Sequence, residues 1–221
     1  MTQHVVITGA NRGIGLELAK QYVNAGAEVS ALVRQSSDEL DALGVQVISG
    51  IDVCEPEQVR DLATKLDNKP IDILINNAGV LHNETLADMD FAAIEQQFAV
   101  NALAPLRVTH ALGHLLPAGA KVAMITSRMG SIADNGSGGY IGYRMSKAAL
   151  NAAAVSLAHE LKPRAVAVGL FHPGFVQTRM VGFAGDVSPE VAAQRIKQRI
   201  AELDLANTGG FWHANGERLP W

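Results

Sequence analysis

Within the first 26 residues an apolar run, a glycine-rich turn and an amphipathic run follow one another: HVVI, then TGANRGIG at 8–15, then IGLELAKQYVNAG. The first reads as a strand. Ile14, Leu18 and Tyr22, spaced four apart, mark one face of a helix that Gly26 stops. Between them Gly9, Gly13 and Gly15 form a G-x-x-x-G-x-G pattern. Glycines at such a junction let the backbone turn sharply and approach a pyrophosphate, whose charge the helix N-terminus stabilises. They would also serve a plain tight turn, the lesser reading of this stretch, and the rest of the chain bears on the choice.

The strand and helix signals continue to alternate. EVSALV is a second strand, SSDELDAL a short helix from a serine cap, and VQVISGID a third strand. EPEQVRDLATKL is helical with Pro56 in its first turn, and IDILINNAG is a fourth strand. A long helix from about Asp88, the strand KVAMITS, a helix through YRMSKAALNAAAVSLAHEL and the strand AVAVGLF complete the pattern. Continuous apolar strands separated by helices predict a parallel sheet covered on both faces. The expectation is α/β: a single Rossmann-type doubly wound domain over 1–221, with about seven strands.

Composition narrows the function classes. The chain has 221 residues, 48% of them hydrophobic, enough for a full core. With 18 basic and 22 acidic residues the net charge is −4, and no basic run tracks a phosphate backbone, which argues against nucleic acid. Cys54 is the single cysteine, so it has no disulfide partner and builds no metal cluster. His110 and His114 lie four apart on a helix, but nothing completes a metal site around them. No apolar stretch reaches the roughly 18 residues of a membrane span, and no leader pattern opens the chain, so a cytoplasmic protein is expected. Ile196, Ile200 and Leu203 form an apolar stripe expected to face the core.

The stretch GGYIGYRMSK places Tyr140 and Tyr143 ahead of Lys147. Residues four apart on a helix stand about 6 Å apart, so Tyr143 and Lys147 can act on one ligand. Tyr140, two turns from the lysine, lies roughly 10 Å away. A phenol titrates near about 10 and is a poor base until a close cation favours its anion. Tyr143 is therefore the candidate acid/base, with Lys147 as its cation. Asn101 precedes Pro105 by four residues. Proline lacks the N–H that would bond the carbonyl four residues back, so the Asn101 carbonyl is expected to be free.

The glycine turn, the NNAG at 76–79, Asn101, Ser127, Tyr143 with Lys147, and HPGFVQT at 172–178 together resemble the short-chain dehydrogenase/reductase family along essentially the whole chain. SRMGSI, GYRMSKAALN and the closing GGFWHANGERLPW look most like its branch of sniffer-like carbonyl reductases and C-factor signalling proteins. The resemblance implies that Tyr143 exchanges a proton with a carbonyl or alcohol, that Lys147 holds the nicotinamide ribose and lowers the tyrosine pKa, and that Ser127 bonds the substrate oxygen. Thr126 and Ser131 are rivals to Ser127, and the family pattern favours Ser127. Asn101 would hold a water linking the lysine to solvent. Asp52 and Val53 would read the adenine, and Asn77, Ala78 and Gly79 would line the cofactor. Pro173, Gly174, Val176 and Thr178 would grip its carboxamide, while Gly9, Asn11, Arg12, Gly13, Ile14 and Gly15 would enclose the pyrophosphate. The segment between Ser127 and Tyr143 is longer and richer in glycine than the family pattern.

NADP(H) is the expected cofactor in preference to NAD(H). The second strand ends ALVRQSS, with Arg34 where an NAD site carries an acidic residue, and Arg12 stands in the glycine turn. Two guanidiniums suit a 2′-phosphate, and Ser36 or Ser37 could add a hydroxyl. Met180, Val181 and Phe183 suggest an apolar lid over a small, mostly apolar carbonyl or alcohol substrate. The resemblance implies a homodimer or homotetramer paired through the long helices. Two rival readings use the same residues: a dinucleotide-binding signalling protein of the C-factor type, and an alcohol dehydrogenase running in the oxidising direction.

Overall fold

The structure, a computed structural model, describes residues 2–221. Seven strands form one sheet: β1 His4–Thr8, β2 Glu28–Leu32, β3 Gln46–Ile48, β4 Ile73–Asn76, β5 Lys121–Ile125, β6 Ala167–His172 and β7 Phe211–His213. Their order is β3-β2-β1-β4-β5-β6-β7, and every pair is parallel. The chain winds outward from β1 in one direction, then returns and winds from β4 in the other.

Alternate side chains along the strands feed two separate cores. Val6, Leu74, Val122 and Val168 face one side, where Leu62, Val108, Leu112, Leu150 and Ala154 cover them. Val5, Ile7, Ile73, Ile75 and Ala123 face the other, covered by Leu18, Ala19, Ile196 and Ile200. Helices α1 (Gly13–Asn24) and α8 (Pro189–Glu202) therefore pack together on the second face, and the Ile196, Ile200, Leu203 stripe is core. Burying a Leu or Ile fully contributes about 1.5–3 kcal/mol, so both layers are needed to hold so thin a sheet.

Elsewhere the helices are more broken than their apolar spacing predicts. After the short α2 (Asp38–Asp41), the segment from Pro56 divides into α3 (Pro56–Arg60) and α4 (Leu62–Lys65) at Asp61. Val59, Leu62 and Leu66 stay buried across the break, so the apolar face survives it. The long helix expected from Asp88 begins instead at α5 (Phe91–Phe98), which the Asp90 side chain caps. It widens into a π-helical turn at Ala99–Leu103 and resumes as α6 (Ala104–Leu112). The 21-residue α7 (Ile141–Leu161) is unbroken. No helix among the described residues is long and apolar enough to cross a membrane.

Candidate active site

The strand order reverses between β1 and β4, and in sheets of this kind ligands enter the crevice beyond the carboxyl ends of the strands at that point. Both lips are glycine-bearing turns sewn to each other. The Thr8 hydroxyl accepts the N–H groups of Asn77 (2.9 Å) and Ala78 (3.0 Å), while Asn77 Nδ2 donates to the carbonyls of Thr8 (3.0 Å) and Gly9 (3.1 Å). Gly15 has no room for a side chain: a Cβ would lie 2.4 Å from the Gly9 oxygen and 2.5 Å from Asn77 Nδ2. Gly13, at φ +56°, faces Thr178, whose Cγ2 a Cβ would meet at 3.4 Å. The PGFVQT segment thus returns across the sheet to close over the glycine turn.

The first turn of α1 has no acidic residue and Arg12, its N-cap, makes no side-chain cap bond. An anion there would find amide donors, in a cradle that only glycine permits. Arg12 and Arg34 are both exposed, and neither joins an ion pair among the described residues. Ser36 and Ser37 already have protein acceptors, Asp41 Oδ1 (2.5 Å) and the Asn11 carbonyl (2.9 Å). Asp52 Oδ1 accepts from the Cys54 N–H (2.9 Å), fixing the turn beside the buried Val53.

The reactive groups gather at the end of β5. Ser127, 7% exposed, accepts from the Met129 N–H at 3.1 Å. Its two rivals have structural partners: the Thr126 hydroxyl donates to Asn151 Oδ1 (2.7 Å), and Ser131 Oγ accepts the Asp134 N–H (3.1 Å). Lys147 Nζ donates to the Ile125 carbonyl (3.0 Å) and stands 5.8 Å from the Tyr143 ring centre. Burial pushes the lysine down to about 8 and the tyrosine up to about 12, the Ser127 hydroxyl opposing the latter. The sequence reading expects Lys147 to draw the tyrosine down. In the structure burial outweighs the nearby ammonium, and desolvation dominates. Tyr140 precedes the helix with left-handed backbone (φ 51°, ψ 44°), so it does not share the face of Tyr143 and Lys147.

Asn101, fully buried, lies within the π-helical turn. Its Oδ1 accepts from the Val80 N–H (2.9 Å), and its Nδ2 donates to the Val80 carbonyl (2.9 Å) and Ser146 Oγ (3.0 Å). Ser146 Oγ in turn donates to the Tyr143 carbonyl (2.8 Å). A Cβ on Gly79 would lie 3.3 Å from Asn101 Oδ1 and 3.9 Å from Lys147 Nζ, so these three residues converge.

Residues 3–187 match the short chain dehydrogenase family. The chain belongs to that family. It is 37% identical to 1-hydroxy-2-glutathionyl-2-methyl-3-butene dehydrogenase of Rhodococcus sp. (strain AD45), over 98% of this chain and 99% of the relative. It is 42% identical to C-signal of Myxococcus xanthus, over 74% of this chain and 100% of that one. Among solved structures, a carbonyl reductase from Pseudomonas aeruginosa PAO1 in complex with NADP superposes with a TM-score of 0.87, at 33% identity and 100% coverage of both chains. The branch expected from the closing motifs, sniffer-like carbonyl reductases together with C-factor proteins, holds.

As a short-chain dehydrogenase the chain has local features that its motifs do not announce. Thr8 and Ser146 brace the site without being legible beforehand, and only their position beside a motif residue hints at them. The side-chain amide of Asn77, a residue expected along the cofactor, braces the glycine turn. Val176 is buried and bridges to Val187, while Met180 and Phe183 are 45% and 67% exposed beyond it. Gly174, at φ +94°, lies against His213. His213 meets His172 edge to face at 4.9 Å, and burial with that neighbour pushes His172 down to about 3. His172, next to Pro173, is thus uncharged at neutral pH. The glycine-rich loop before α7 is exposed, and Arg144 binds it through the Gly139 carbonyl (3.0 Å), the Gly138 carbonyl (3.1 Å) and Ser137 Oγ (2.9 Å).

Proposed function

We propose that this short-chain dehydrogenase reduces an aldehyde or ketone to the alcohol with NADP(H), which supplies the hydride when bound. The observation that carries the reading is the convergence of Ser127, Tyr143 and Lys147 at the end of β5, with Asn101 beside the lysine. Ser127 donates a hydrogen bond to the substrate oxygen as negative charge grows there, and Tyr143 gives that oxygen its proton. Held near 12, Tyr143 carries its proton at neutral pH, the form that reduction requires. Lys147 holds the nicotinamide ribose and, with its pKa near 8, can return a proton to the tyrosine, while Asn101 holds a water that links the lysine to solvent.

The glycine cradle at Gly9, Gly13 and Gly15 fits the pyrophosphate, with Asn11 and Ile14 beside it. Asp52 and Val53 meet the adenine, and Asn77, Ala78 and Gly79 line the cofactor beyond it. Pro173, Gly174, Val176 and Thr178 take the carboxamide, and Arg12 with Arg34 the 2′-phosphate. The NADP-bound carbonyl reductase supports that preference. Met180, Val181 and Phe183 form a lid for a mostly apolar substrate. Two copies pair through the long helices, α5 to α6 with the π-helical turn between them and α7, where Leu103, Leu106 and Met145 are exposed.

Two relatives favour other readings of the same site. The Rhodococcus dehydrogenase supports turnover in the oxidising direction, and C-signal supports a signalling role for the bound protein. Purified protein with NADPH and a panel of aldehydes, ketones and diketones, and with NADP+ and the matching alcohols, separates them. Consumption of NADPH with alcohol formed in equal amount supports reduction. Tight NADPH binding with no turnover in either direction overturns it in favour of a sensor.

A further inference from the structure

Helix α7 carries both Tyr143 and Lys147, yet its start has no local cap. Tyr140 makes no side-chain cap bond and the first turn has no acidic residue. Exposed amides at a helix start need partners, and these come from the loop after β4. Asn83 Oδ1 accepts the Tyr140 N–H (3.1 Å), the Glu84 carbonyl accepts the Ile141 N–H (3.5 Å), and Glu84 Oε2 accepts the Gly142 N–H (3.1 Å).

The Glu84 side chain is itself held from behind. It is 2% exposed, and Oε1 accepts from Gln97 Nε2 at 2.7 Å. Gln97, fully buried in α5, accepts the His82 N–H through Oε1 at 2.9 Å. Both carboxylate oxygens receive N–H donors and neither of these partners is an acceptor, so the arrangement fits the ionised carboxylate, which also favours a helix N-terminus. The strut meets the helix backbone directly. A Cβ on Gly142 would lie 2.7 Å from Gln97 Nε2, 2.7 Å from Ile94 Cγ1 and 3.1 Å from Glu84 Oε2.

We propose that Glu84 is a positioning residue for Tyr143: wedged between Gln97 and the Gly142 N–H, its carboxylate fixes the helix turn from which the tyrosine reaches toward Ser127. The inference rests on the reductase reading. It joins the helix bearing Asn101 to the helix bearing Tyr143 at a second point, besides the Asn101–Ser146 bond. The strut acts through the placement of one phenol.

The test compares wild type, Glu84→Ala and the exchange Glu84→Gln with Gln97→Glu, which keeps an amide and a carboxylate in the strut with their places reversed. Misplacing a reacting group by about 1 Å costs on the order of 100-fold, so Glu84→Ala should lose roughly 10- to 100-fold in kcat. Its NADPH dissociation constant and KM should stay within about twofold, since those contacts lie elsewhere, and a solvent isotope effect on kcat should appear as proton transfer becomes slow. The exchange should recover kcat to within about threefold of wild type. Wild-type kcat in Glu84→Ala, equal losses in kcat and NADPH affinity, or failure of the exchange to recover activity would each overturn the role. A wild type inert toward every carbonyl sinks the reductase reading and this role together, whereas an active wild type with an indifferent Glu84→Ala sinks this role alone.

Discussion

Lys147 Nζ stands 5.8 Å from the centre of the Tyr143 ring while donating to the Ile125 carbonyl at 3.0 Å. Both groups are driven toward their neutral forms by burial, the lysine down to about 8 and the tyrosine up to about 12. Near pH 7 the lysine is charged at a cost. Its ordinary value is 10.5, so from about 8 to 10.5 the folded chain binds fewer protons than the unfolded chain, and this group makes stability rise with pH. Lys147→Met should therefore be more stable than wild type at pH 7, by roughly 1–3 kcal/mol, and the difference should shrink across that window. Denaturant titrations at pH 7 and pH 10 check it; a destabilised Lys147→Met at pH 7 contradicts it. Reductive kcat/KM should also fall above about pH 8, as the lysine loses its proton.

Tyr143→Phe removes only the acidic hydroxyl. Losing a general acid lowers rate by about 100- to 10,000-fold, and NADPH affinity should change little. Tyr140→Phe, outside the helix face, should keep near-normal turnover. Steady-state rates and NADPH titrations of both variants provide the comparison, and equal activity in the two would refute the assignment.

Arg34→Ala tests the cofactor preference. A hydrogen bond to a charged group contributes about 1.5–3 kcal/mol, so NADPH should bind roughly tenfold to a hundredfold more weakly while NADH is barely affected. Dissociation constants for both cofactors on both proteins decide, since equal wild-type affinities or equal losses would exclude a 2′-phosphate site at Arg34.

Gly15→Ala forces a methyl to within 2.4 Å of the Gly9 oxygen and 2.5 Å of Asn77 Nδ2. Overpacking of this kind costs about 1–3 kcal/mol, and here it would also prise the two lips of the crevice apart. A lowered melting temperature together with weakened NADPH binding is expected from calorimetry. Gly113→Ala, whose Cβ would meet nothing within 4 Å and whose φ of −58° suits any residue, gives a control without the clash.

Light scattering at micromolar concentration should give a dimer or tetramer mass, and Leu106→Asp on α6 should lower it. A monomer mass for wild type would rule out pairing.

Six strands of the doubly wound sheet were legible because each is a largely apolar run and each layer has its helix, signals that depend on neighbours in sequence; the three-residue β7 gives no such run. Tyr143 was separable from Tyr140 for the same reason, since a four-residue spacing is a local property of a helix. The π-helical turn was not legible: Pro105 predicts a free Asn101 carbonyl, but the wider distortion accompanies bonds from Asn101 to Val80 and Ser146, which are distant in sequence. The tyrosine's raised pKa escaped a reading that weighed the nearby cation and had no measure of burial. Glu84 escaped it too, because its partner Gly142 lies 58 positions further on.

The reversal of strand order between β1 and β4 separates two jobs along the chain. Arg12 and Arg34, proposed to tell one electron carrier from another, follow β1 and β2; Ser127, Tyr143 and Lys147, proposed to handle the proton, follow β5. A chain built this way can be retuned to draw on a different reductant by changes confined to its first third, while the machinery that acts on the substrate is inherited intact.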